Sequence, residues 1–164
     1  MRKINKSFMM VLVIILTVFL ACGCGKSQDT SCREVLNNVI KDFPEEFNTV
    51  ASFGESLYDD SFDNMYGVEY KMINDGAICY FEEGNTASEV SIMHLKNSED
   101  MNIAKQKLSD RVQTRRNAFA GYLPEEVSKI DNYSVIVQGN FVCLIIAKDP
   151  TMVEASIRAG ISGE

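Results

Sequence analysis

A 13-residue run, Phe8 to Leu20, is apolar at every position but Thr17. It is too short to cross a bilayer, which takes about 20 residues, and has the length of the hydrophobic stretch of an export signal. After it the pattern turns amphipathic. Val35, Leu36, Val39, Ile40 and Phe43 fall on one helical face, with Ser31 and Glu34 spaced as a capping box before them and Pro44 closing the run. Residues 45–75 hold no clean period; a short helix from Asp60 to Tyr66, stopped by Gly67, is expected there. Four strand patterns follow. Ala77–Glu82 and Glu89–Lys96 flank a turn with Gly84 and Asn85, and Tyr133–Val137 and Phe141–Ala147 flank Gln138-Gly139-Asn140. Gly139-Asn140 suits a two-residue type II′ hairpin, because its first position needs φ > 0.

Between the two hairpins the spacing of Met101, Ala104, Leu108, Val112, Phe119 and Tyr122 predicts a helix over about Glu99–Ala120. Asn97 or Ser98 would cap it, and Gly121 and Pro124 would end it. A last helix starts at Asp149-Pro150 and carries Val153, Ile157 and Ile161. Together these predict an α+β fold: a four-stranded antiparallel sheet from two hairpins, with helices packed on one face as a two-layer sandwich. Hairpin followed by helix occurs twice, the pattern of a ββα repeat. The chain divides into a lipoprotein signal peptide (1–21), a lipidated cysteine with a polar tether (22–30) and one globular α+β domain (31–164).

The signal reading rests on more than hydropathy. Arg2, Lys3 and Lys6 precede the apolar run, which ends at Leu20-Ala21-Cys22-Gly23-Cys24-Gly25. A small residue before a cysteine resembles a bacterial lipobox, in which the thiol takes up diacylglycerol before cleavage. Cys22 is the favoured acceptor, since using Cys24 would leave another cysteine inside the recognition site; Cys24 is the alternative. An ordinary cleaved signal with incidental cysteines is the plainer reading. Two acyl chains tether stably where one binds marginally.

Charge narrows the partners. The chain has 164 residues, 16 basic and 23 acidic, with net charge -7. Three of the basic residues and none of the acidic ones precede Cys22, so the remainder is more acidic still. Such a domain repels phosphate backbones, so no nucleic-acid partner is expected. It also repels an anionic membrane surface, so membrane contact is left to the lipid anchor.

Catalytic patterns are sparse. The sequence holds no H-E-x-x-H, G-x-S-x-G, phosphate-binding loop or G-x-G-x-x-G. Its one histidine, His94, excludes multi-histidine zinc sites within one chain, and reads as a surface or edge-strand imidazole. No cofactor or metal is expected. Cys79 and Cys143 lie in strands of different hairpins. They are either partners in a disulfide or buried free thiols. Asp59, Asp60, Asp63 and Asn64 are oxygen ligands without the spacing of a calcium loop, and read as a solvated acidic turn. Lys105, Lys107, Arg111, Arg115 and Arg116 form the one basic concentration, a solvated helix face or a docking surface for an acidic partner or wall polymer. Tyr58, Tyr66, Tyr70, Tyr80, Tyr122 and Tyr133 suit core or rim packing better than sugar stacking, with no Trp to assist.

Tyr66-Gly67-Val68, Ala87-Ser88-Glu89-Val90, Phe119-Ala120-Gly121-Tyr122-Leu123-Pro124-Glu125-Glu126 and Gly139-Asn140-Phe141-Val142 occur in that order. From about Met65 to Asp149 the chain resembles an uncharacterised family of lipoproteins from Gram-positive bacteria, domain of unknown function 4358. The resemblance implies an envelope location and an α+β domain, and carries over no catalytic or ligand residues. The expectation is a lipid-anchored surface lipoprotein on the extracytoplasmic face of the cell membrane. It would act as a non-catalytic binding or interaction domain for an envelope protein or wall polymer. The alternatives are a small-ligand or metal-binding lipoprotein accessory to a transporter, and an envelope enzyme without a recognisable motif.

Overall fold

Phe141 to Ile146 (FVCLII) is apolar on both of its faces, so neither face is free to meet water. The structure, a computed structural model that describes residues 30–55 and 64–163, shows what covers them. In chain order it forms α1 (Cys32–Asp42), β1 (Thr49–Ser52), β2 (Ile73–Tyr80), β3 (Glu89–Leu95), α2 (Met101–Tyr122), α3 (Val127–Asp131), β4 (Ser134–Gln138), β5 (Phe141–Ile146) and α4 (Pro150–Ser162). Every neighbouring strand pair is antiparallel, in the order β1-β2-β3-β5-β4.

Both expected hairpins form. Tyr80 pairs with Glu89 in the first and Gln138 with Phe141 in the second. Gly139 sits at φ +57, and Asn140 does not share the positive φ, as a type II′ turn requires. The hairpins join through β3 and β5, with Ile92 opposite Cys143.

Two parts of the expected architecture are corrected. The sheet has five strands, not four, because Thr49–Ser52 pairs with β2 in the register Val50↔Cys79. Thr49-Val50-Ala51-Ser52 does not alternate apolar with polar positions, so this edge strand is invisible to pattern reading. The helices also cover both faces instead of one. Met93, Leu95, Val142, Leu144 and Ile146 pack on one side with Ala104, Leu108, Val112 and Phe119 of α2. Ala77, Cys79, Val90, Ile92, Cys143 and Ile145 pack on the other with Val35, Leu36 and Val39 of α1 and Val153 and Ile157 of α4. The result is a three-layer α/β/α sandwich on an antiparallel sheet. The helices that follow the two hairpins lie on opposite faces, so the ββα pattern does not recur as side-by-side copies.

Helix ends show where local signals held. Asp149 caps α4 as read, accepting from the backbone N–H of Thr151 at 3.1 Å and Met152 at 3.2 Å. Ser31 makes no side-chain cap for α1. Instead Asp75 Oδ2, from β2, accepts the Cys32 N–H at 2.7 Å, so the helix is capped across the fold. A 3₁₀ turn, Ser98–Asp100, leads into α2 without a side-chain cap from Asn97. A 3₁₀ turn at Pro124–Glu126 and the short α3 follow α2. Of the helix expected over 60–66, residues 64–66 are helical and Gly67 follows at φ +60; residues 60–63 lie outside the described part.

Candidate functional site

Strand alternation sends Glu89, Ser91, Met93 and Leu95 toward α2. Glu89 is therefore a carboxylate at the head of an apolar row, only 3% exposed. A buried charge of that kind must be paired. On α2, Arg111 and Arg115 are four residues apart and share the inward face with Leu108, Val112 and Phe119. Arg111 forks onto the carboxylate, with Nε donating to Oε1 at 3.0 Å and Nη2 to Oε2 at 2.6 Å. Tyr66 Oη donates to the same Oε1 at 2.7 Å. Arg115 Nε lies 3.2 Å from Oε2 but is not aligned for a hydrogen bond, while its Nη2 donates to the Ala87 carbonyl at 3.1 Å. The two guanidinium groups also lie over aromatic rings, Arg111 over Tyr66 and Arg115 over Phe119, at 5.4 and 4.6 Å from the centroids.

Burial alone would raise the Glu89 pKa. The Arg111 hydrogen bonds and the charges of Arg111 and Arg115 outweigh it, and the carboxyl is held below its ordinary value. Burial and the Glu89 charge push the Tyr66 phenol well above its own, so it stays a donor. Glu89 is thus held ionised and Tyr66 protonated at neutral pH. Neither group is poised near neutrality, as proton transfer would need. Replacing Tyr66 by Phe removes one hydrogen bond to a buried charge while Arg111 still covers Glu89. Urea denaturation is expected to register a loss of about 1.5–3 kcal/mol; unchanged stability would mean the phenol contributes nothing.

A second network adjoins the first. Glu126 Oε2 accepts from Thr86 Oγ1 at 2.8 Å and the Ala87 N–H at 2.7 Å, and pairs with Lys129 Nζ at 2.8 Å. Lys129 also donates to Thr86 and Ser88. Ser88 Oγ in turn donates to the buried Glu46 at 2.9 Å, which also accepts the Lys148 N–H. The segment Thr86–Glu89 therefore ties α1's trailing loop, α2, α3 and the end of β5 together. Between it and α2 opens a cavity of about 270 Å³, with Arg111, Arg115 and Glu89 at its base, Met65, Phe81 and Phe119 among its walls and the exposed Glu82 at its rim.

The residues singled out from sequence are dispersed differently. Arg111 and Arg115 are turned inward onto Glu89, and Arg116 pairs with Asp131 at 2.8 Å; Lys105 is exposed apart from them. The expected docking face is therefore not a continuous basic surface, because burying Glu89 recruits its two central members. Cys79 and Cys143 are buried free thiols, and the disulfide alternative is corrected. Strand β3 lies between them, which sets the backbones about 9–10 Å apart, beyond the reach of a disulfide. Burial pushes both thiols up and makes them inert.

His94 stacks on Phe141, ring centroids 4.3 Å apart. Among the described tyrosines, Tyr66 is buried on Glu89, Tyr70 stacks on Phe53, and Tyr122 and Tyr133 are exposed. Cys22, Cys24, Tyr58, Asp59, Asp60 and Asp63 lie outside the described residues, and Asn64 is exposed. Among the described residues no three His, Cys, Asp or Glu side chains are grouped to hold a metal ion, and no helix is long and apolar enough to cross a membrane.

The sequence pattern does not single out Glu89, and Tyr66 reads there only as one of six tyrosines suited to core or rim packing. One signal was available: Arg111 and Arg115 interleave with Leu108, Val112 and Phe119 on a single helical face, and a glutamate heads an otherwise apolar strand. Cations inside an apolar stripe call for a buried anion.

No curated protein and no solved structure gives a significant match to the chain. Residues 54–147, more than half of the chain, match the family model described as Domain of unknown function (DUF4358), and the chain belongs to that family.

Proposed function

We propose that the chain is a lipid-anchored lipoprotein of a Gram-positive bacterium, held on the extracytoplasmic face of the cell membrane through Cys22, with Cys24 as the alternative acceptor. Residues 31–164 then act as a non-catalytic binding domain for an envelope protein or wall polymer. The observation that carries this reading is the order of three cations, a 13-residue apolar run and Ala21-Cys22. The charge cluster supports the non-catalytic part, since its carboxylate is held ionised and its phenol protonated. A small-ligand role, the second reading, is favoured by the cavity beside Arg115.

The test is the intact mass of the protein isolated from its own membrane, with and without Cys22→Ala. A diacylglyceryl adduct on a chain beginning at Cys22, lost in the variant, is the expected result. An unlipidated chain cleaved elsewhere would make the domain freely secreted and overturn the reading. An adduct that survives in the variant and begins at Cys24 would move the anchor by two residues.

A further inference from the structure

We propose that the cavity between the first hairpin and α2 binds a small organic monocarboxylate, its carboxylate on the open edge of Arg115 and its apolar body against Met65, Phe81 and Phe119. This rests on the reading of the domain as a binding module and does not depend on the lipid anchor.

Three observations converge on that ligand. The first is charge. Arg111 and Arg115 face one carboxylate, Glu89, at the base of the cavity. Arg111 uses its Nε and Nη2 on Glu89, which leaves the second guanidinium charge without a carboxylate of its own in the base. Glu82, the other acid of the lining, is exposed at the rim, and Glu126, whose charge also acts on Arg115, is paired with Lys129. One surplus positive charge at the partly desolvated base, with Glu82 left to solvent at the rim, matches a monoanion better than a dianion. The second is hydrogen bonding. Arg115 Nε is buried against Glu89 Oε2 at 3.2 Å without donating to it, and Nη2 donates to the Ala87 carbonyl. Among the described residues no partner engages Nη1. A guanidinium held by Ala87 and by the Phe119 ring, with Nη1 unspent, is a preorganised receptor for a carboxylate oxygen. The third is the wall. Met65, Phe81 and Phe119 line the same cavity as the charged base, so a bare inorganic anion would leave apolar surface uncovered. A volume of about 270 Å³ admits only a small molecule.

Glu82 makes the proposal testable with opposite signs. It is exposed at the cavity rim, where its charge opposes an entering anion and its replacement leaves the core untouched. Isothermal titration would use the full-length chain in neutral phosphatidylcholine nanodiscs. The probes are hexanoate, hexan-1-ol and inorganic phosphate. Saturable binding of hexanoate is expected, with hexan-1-ol and phosphate each at least about tenfold weaker, the worth of one charge-assisted contact. Arg115→Gln should weaken hexanoate by about tenfold or more, and Glu82→Gln should tighten it.

Folding of Arg115→Gln is checked by circular dichroism, and if that variant fails to fold, Glu82→Gln decides alone. No saturable hexanoate binding overturns the site. Equal binding of hexan-1-ol reduces it to an apolar cavity, and equal binding of phosphate removes the carboxylate assignment; both overturn the proposal. Loss of hexanoate binding on Glu82→Gln would do the same. None of these outcomes touches the lipoprotein reading, which stands or falls on the mass of the membrane-derived chain.

Discussion

Replacing Glu89 by glutamine is expected to lower the unfolding free energy by about 3–5 kcal/mol, the cost of leaving buried charge uncompensated. The carboxylate is the common acceptor for Tyr66, for both arms of the Arg111 fork and, electrostatically, for Arg115. Glutamine keeps the shape but offers one carbonyl oxygen and sets its NH₂ against a guanidinium. Chemical denaturation of wild type and variant measures the difference, and a loss below about 1 kcal/mol would show that the cluster is held mainly by its apolar surroundings.

The same pair of proteins fixes the pH dependence. Glu89 has a folded pKa below that of an unfolded glutamate, about 4.3. Its contribution is therefore complete above about pH 4.3 and is lost as pH falls through the lower folded value. Glu126 is shifted in the same direction: burial would raise it, but Lys129 and the Ala87 and Thr86 hydrogen bonds outweigh that. The gap in stability between wild type and Glu89→Gln should narrow on acidification from about pH 7 to pH 3. A gap that stays constant would mean that the Glu89 charge plays no part.

Ile92→Ala and Met93→Ala are each expected to cost about 2–5 kcal/mol. These neighbours on β3 point to opposite faces, and both are fully buried. Ile92 packs on the side of α1 and α4, and Met93 on the side of α2. In a two-layer sandwich one of the two would face water, and its truncation would cost within about 0.5 kcal/mol. Two large and comparable losses are the signature of a sheet covered on both sides. One large and one negligible loss would contradict the three-layer packing.

Much of this fold is legible from short stretches of sequence. The turn at Gly139 is legible because only a two-residue loop beginning with φ > 0 joins those strands. The start of α4 is legible because Asp149 and Pro150 act within one helical turn. The long helix was expected over Glu99–Ala120 and runs from Met101 to Tyr122, because its apolar stripe has a helical spacing. The double burial of β5 had a signal as well, since an apolar run without alternation marks a strand with no wet face.

The amphipathic periods, the α+β class, both hairpins, the Asp149 cap and the acidic surface were determined by the sequence on its own, because each depends on residues within a few positions of one another. The fifth strand, the Asp75 cap on Cys32 and the convergence of Tyr66, Arg111 and Arg115 on Glu89 were decided only by the tertiary structure. Asp75 is 43 residues from the helix it caps, and Arg111 is 22 from Glu89. Over such separations a side chain's partner is set by which face its strand or helix turns inward. That choice belongs to the packing of the whole sheet, and no local pattern encodes it.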